Sequence, residues 1–133
     1  MTARKPFGAA ASATVAIAAA FLGAPSPASA ADAYPLSYVA NPNIYKIVSE
    51  NDDYRVIKAT WPPGIKDEMH SHPVSFVSVF LTDCSRRFSF PDGKSNDAVL
   101  KKGFVSLQDP VPSHSFQNTG TADCEILLIE KKR

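Results

Sequence analysis

From Ile44 to its end the chain repeats one pattern: short runs rich in Val, Ile, Phe and Tyr, broken by polar turn residues about every eight to twelve positions. The pattern predicts strands over 44–49, 54–61, 76–82, 87–90, 98–101, 104–108, 113–117 and 124–130, with a further extended stretch through His70 and His72. Turn signals fall between them, at Asn51-Asp52-Asp53, Pro62-Pro63-Gly64, Pro91-Asp92-Gly93 and Asn118-Thr119-Gly120. No segment after residue 30 carries the 3.6-residue period of an amphipathic helix. An all-β sandwich or barrel follows, one domain over 44–133. Residues 31–43 form a lead-in that offers one edge strand at 36–39.

The first 30 residues follow a different rule. Arg4 and Lys5 lead into an Ala-rich apolar run from Ala9 to Leu22, and Ser26-Pro27-Ala28-Ser29-Ala30 precedes Ala31. That is the layout of a secretory signal peptide over 1–30, with a small-residue cleavage site. A retained membrane helix is the weaker reading, because the run is shorter than the ~20 residues that span a bilayer and Gly23-Ala24-Pro25 ends it. The expected location is therefore periplasmic or secreted. Without Arg4 and Lys5 the formal charge of +1 becomes about −1, so nothing in the balance attracts nucleic acid or an anionic membrane surface.

Export also bears on the 2 cysteines, Cys84 and Cys124, since disulfides persist outside the cytoplasm. A bridge between them would close a loop of about 40 residues and stabilise the fold by ~3–4 kcal/mol in the chain-entropy model. Two separate buried thiols are the alternative.

Candidate chemistry rests on 3 histidines. His70 and His72 stand two apart, so an extended strand presents both imidazoles on one side. His114 lies in a second segment that reads as strand, proline turn, strand. Neutral imidazole is the commonest side-chain ligand for a transition metal, and convergence of the two segments would make His70, His72 and His114 a metal site. The alternative is a barrel that keeps its fold and holds no metal.

The two segments resemble the paired motifs of the cupin superfamily. In the first, Gly64 precedes His70-Ser71-His72 by the characteristic five intervening residues; in the second, Gly103 leads through Pro110 and Pro112 to His114-Ser115-Phe116-Gln117-Asn118. The resemblance spans roughly 45–130 and implies a jelly-roll β-barrel. It departs from the family pattern at two points. Pro110-Val111-Pro112 replaces the usual Pro-x-Gly turn, and Phe76 and Val77 stand where the first motif supplies a glutamate ligand. The implied centre is a three-histidine variant without that carboxylate, of the kind found among thiol dioxygenases and some diketone-cleaving enzymes.

Three neutral imidazoles leave a divalent ion its full charge, which favours an anionic ligand in a low-dielectric pocket. The ligand type suits Fe(II), Ni(II), Cu(II) or Zn(II) and disfavours Ca(II) and Mg(II). Glu68 shares the parity of both histidines and is a candidate to replace the glutamate; Gln108, Phe76 and Phe116 are candidates for the pocket wall. The leading expectation is an exported, metal-binding cupin acting on a small anionic molecule, with Fe(II)-dependent dioxygenase chemistry or a related oxidoreductase activity as the enzymatic form. The competing expectation is a non-catalytic ligand-binding or structural cupin. Pairing of two copies through sheet faces or swapped edges is open to such a fold.

Overall fold

The computed structural model describes residues 34–132. The signal peptide expected over 1–30 and the first residues of the lead-in lie outside the described residues. A short helix, α1 (Ser37–Ala40), is followed by nine strands: β1 (Tyr45–Glu50), β2 (Tyr54–Trp61), β3 (His70–His72), β4 (Phe76–Phe80), β5 (Cys84–Ser89), β6 (Ser95–Leu100), β7 (Val105–Gln108), β8 (Val111–Asn118) and β9 (Cys124–Lys131). They form two sheets, β1-β2-β9-β4-β7 and β3-β8-β5-β6, in which the paired strands are antiparallel.

Period-two patterning builds the core. Along β9 the side chains of Cys124, Ile126, Leu128 and Glu130 are buried while those between them are half-buried. Ile57, Ala59 and Trp61 on β2 and Phe76 and Phe80 on β4 meet them from the neighbouring strands. Burying one such large apolar side chain is worth ~1.5–3 kcal/mol. Phe104, expected to open a strand over 104–108, is 45% exposed on the loop before β7.

The sheets do not close into a barrel. Closure needs a ladder between their edge strands, and those that would carry it are short: β3 has 3 residues and β7 has 4. The outer edge of β3 is covered instead by the lead-in, where Ser71 N–H donates to Pro35 O at 2.9 Å and Leu36 forms an isolated bridge to Ser71. The strand expected at 36–39 is thus reduced to that single bridge, and the chain turns at once into α1, closed by Asn41 N–H on Ser37 O. The lead-in is also better anchored than its composition suggests. Asn41 accepts from Glu68 N–H and donates to Glu68 O, and Arg55 donates to the Tyr38 hydroxyl at 2.6 Å.

Cys84 and Cys124 are bonded, with Cα atoms 5.0 Å apart, which ties the smaller sheet to the larger. Both glycines of the histidine motifs sit in the left-handed region, Gly64 at φ 77° and Gly103 at φ 86°, where a side chain would be strained.

Candidate metal centre

β3 lies beside β8, and their register places His70 directly opposite His114, while a register irregularity before His72 pairs it with Val111. This one pairing brings the two distant segments together. Ring centres are 4.6 Å apart for His70 and His114, 5.1 Å for His70 and His72, and 5.4 Å for His72 and His114. One ring nitrogen from each falls within 4.8 Å of the others, and all three residues are buried.

Hydrogen bonds set the ring orientations. His70 Nδ1 lies 2.8 Å from Glu68 O, and a carbonyl can only accept, so Nδ1 carries the proton and Nε2 keeps a lone pair. His72 Nδ1 lies 3.2 Å from Glu130 Oε1, which assigns its proton in the same way. His114 Nδ1 is buried without a partner. Burial, then neighbouring His72, lowers His70 to about 4. Burial, then His70, His72 and Arg86, lowers His114 to about 2. Both are neutral at physiological pH, the form that binds metal.

A phenol and a carboxylate complete the surroundings. The Tyr45 hydroxyl donates to Asp67 Oδ2 at 2.8 Å and also lies 3.1 Å from His70 Nε2. With the His70 proton on Nδ1, that second contact sets one lone pair against another, an arrangement a cation relieves. Asp67 is further fixed by Trp61 Nε1 at 3.0 Å and Phe116 N–H at 2.6 Å. Burial raises the Asp67 carboxyl to about 6 despite these bonds. Burial and then Asp67 hold the Tyr45 phenol well above its ordinary value, so it stays protonated. Three buried imidazoles, one with an unpartnered nitrogen and one facing a phenol lone pair, fit a borderline divalent cation.

His72 and His114 face a cavity of about 440 Å³ between the sheets, while His70 is buried behind it. Phe76 is on the wall with its ring 4.7 Å from that of His72, and Phe116 is on the wall stacked on Trp61 at 4.1 Å. Trp61 therefore lies inside the core. Gln108 reaches the rim from the exposed edge strand β7, with its amide on the Ser106 hydroxyl. Glu68 does not join the site. The stretch before His70 is irregular, so strand parity fails there: Glu68 turns its side chain out to solvent and contributes its carbonyl to His70. Four groups that motif and parity arguments about the histidines passed over are Tyr45, Asp67, Glu130 and Arg86. Glu130 had a readable signal, since it shares the parity of Ile126 and Leu128 on β9.

Comparison with solved structures gives the fold. A cupin domain from Bordetella pertussis aligns with a TM-score of 0.63 at 23% identity, over 68% of this chain and 93% of that one. The chain has the cupin fold. An RmlC-like cupin family protein with a double-stranded β-helix fold from Methanocaldococcus jannaschii aligns at TM-score 0.55 and 10% identity, covering 66% and 78%. A double-stranded β-helix protein from Klebsiella pneumoniae aligns at 0.53 and 19%, covering 66% and 75%. No protein-family model and no curated protein matches the sequence. Within the cupin fold the three-histidine group occupies the place its two motifs anticipate, and no carboxylate joins it among the described residues.

Proposed function

We propose that this cupin-fold protein is exported, holds one divalent transition ion on His70, His72 and His114, and acts on a small anionic molecule, as a dioxygenase or related oxidoreductase. The observation that supports this is the set of three buried imidazoles, without a carboxylate ligand among the described residues, two of them on the wall of an apolar cavity. A bound Fe(II), Ni(II), Cu(II) or Zn(II) ion supplies Lewis acidity, and iron or copper supplies electron transfer as well.

The chain's own groups do the rest. Glu68 O and Glu130 hold His70 and His72 in one tautomer and one orientation. Glu130 and Asp67 stand one imidazole behind the ligand positions, so they temper the charge of the centre without filling a place in it. An incoming anion is left to complete the balance. Asp67 keeps the Tyr45 hydroxyl beside His70, where its proton is held on the bond to Asp67 Oδ2. Phe76, Phe80 and Phe116 keep the cavity wall apolar and strengthen every charge interaction made inside it.

No carboxylate lies on the described cavity wall, which favours a non-catalytic ligand-binding protein as the second reading. Elemental analysis of protein recovered from the exported fraction, beside His70→Ala, tests the metal. A stoichiometric metal in the first that is missing from the second is expected; metal in neither overturns the proposal. Oxygen uptake by the Fe(II)-loaded protein with a panel of small thiols, enols and acids then separates the enzyme from the binding protein.

A further inference from the structure

Arg86 carries the only formal charge among the described residues that wall the cavity. The other described arginines are paired with carboxylates, and it is not. Arg87, on the opposite face of the strand, takes both oxygens of Asp97 at 2.8 Å each, its register partner on β6. Arg55 has Glu50 and Glu130. Arg86 has no carboxylate within ion-pair distance among the described residues, and Asp97 acts on it only at longer range; its Nη1 donates to Asn96 Oδ1 at 2.8 Å, and its buried Nε meets no acceptor there. The guanidinium carbon rests 3.7 Å above the Phe88 ring centre, a contact that fixes the group against an apolar wall without satisfying its outward N–H donors.

The guanidinium is half-buried with Asn96 as its one hydrogen-bond partner among the described residues, so an anion drawn into the cavity gains by completing it. Its planar fork matches a carboxylate in a two-point bond, and Asn96, also on the wall, adds an amide beside it. A single cation among aromatic side chains suits a monoanion better than a doubly charged phosphate. The position is close to the metal centre. Phe88 also packs edge-on against His114 with ring centres 4.9 Å apart, so the guanidinium is no farther from the His114 ring than these two spacings laid end to end.

We propose that Arg86 anchors the carboxylate of the substrate, which makes the substrate a short organic acid whose far end carries the donor atom that meets His70, His72 and His114. The second half of this statement rests on the metal-dependent reading above; the anchor itself does not.

Titration calorimetry on the metal-free protein with 3-phenylpropanoate and hexanoate, each against its neutral amide, tests the anchor. At least one acid is expected to bind tenfold or more tighter than its amide. Arg86→Gln should abolish that preference and Arg86→Lys retain part of it, with the metal content of both variants unchanged. Equal binding of acid and amide by the natural chain, no saturable binding of either acid at millimolar concentration, or an acid preference that survives Arg86→Gln overturns the proposal. Should Arg86→Gln fail to fold by circular dichroism, the acid-against-amide comparison in the natural chain and Arg86→Lys decides. A chain that holds no metal but shows an Arg86-dependent acid preference would sink the metal-dependent reading and leave the anchor standing.

Discussion

Replacing Asp67 by alanine removes the one acceptor shared by three buried donors. The carboxylate is 5% exposed and takes the Tyr45 hydroxyl, Trp61 Nε1 and Phe116 N–H. The Tyr45 hydroxyl can turn its proton to His70 Nε2, 3.1 Å away, but Trp61 Nε1 and Phe116 N–H are left without a partner at about 1–3 kcal/mol each, roughly 4 kcal/mol together at the middle of that range. Against this stands the relief of no longer burying a carboxylate. Raising its pKa from 3.8 to about 6 corresponds to about 3 kcal/mol at neutral pH. The net expectation for Asp67→Ala is a loss of about 1 kcal/mol, or roughly 4–8 °C in Tm for a domain of this size. Urea denaturation of the metal-free protein at pH 7, followed by far-ultraviolet circular dichroism, measures it. A double-mutant cycle with Tyr45→Phe checks the cause, because both substitutions remove the same Tyr45–Asp67 bond and their costs should not add. A stabilising effect of Asp67→Ala, or full additivity with Tyr45→Phe, would refute the account of this carboxylate as the common acceptor.

The raised Asp67 value also sets a pH dependence: the folded chain binds this proton more tightly than the unfolded chain, so its contribution is fully present below about 4 and is lost as pH rises through about 6. The natural chain should gain up to about 3 kcal/mol over Asp67→Asn between pH 7 and pH 4, and parallel pH profiles for the two would contradict this. Removing the Cys84–Cys124 bond, by paired alanine substitution, should lower stability by about 4 kcal/mol for a separation of 40 residues; an unchanged urea midpoint would show that the tie is not constraining the unfolded chain. Glu130→Gln keeps the shape of the group behind His72 but weakens its hold on Nδ1, and metal affinity should fall about 10–100-fold with far-ultraviolet signal intact; competition with a coloured chelator reads this out.

Strand positions were legible because turn chemistry and apolar runs are local signals. The expectation for 54–61 matches β2 residue for residue, and the others miss by a few positions at their ends, where pairing partners rather than propensity decide the boundary. The histidine triad was legible for a related reason: two motifs placed on strands need only one pairing, β3 with β8, to meet. Glu68 was misplaced because parity holds only inside a continuous strand, and the chain between Trp61 and His70 is irregular. Asp67 lies in that same stretch, where no periodicity marks a side chain as inward. Arg86 went unmarked because β5 was expected to begin at 87, which left it outside any strand. Once the strand starts at Cys84, the parity of buried Cys84 and of Phe88 on the wall sends Arg86 inward too. Barrel closure could not be read at all, since it depends on how far edge strands extend and on what covers them.

The covalent link between Cys84 and Cys124 crosses from one sheet to the other, and no strand ladder does. The chamber between the sheets is held by packing, by side-chain hydrogen bonds such as that of His72 with Glu130, and by one bond whose existence depends on oxidation. Reduction removes that clasp and with it about 4 kcal/mol of constraint on the unfolded chain, so the hold of one wall of the chamber on the other is partly set by the redox state of its surroundings.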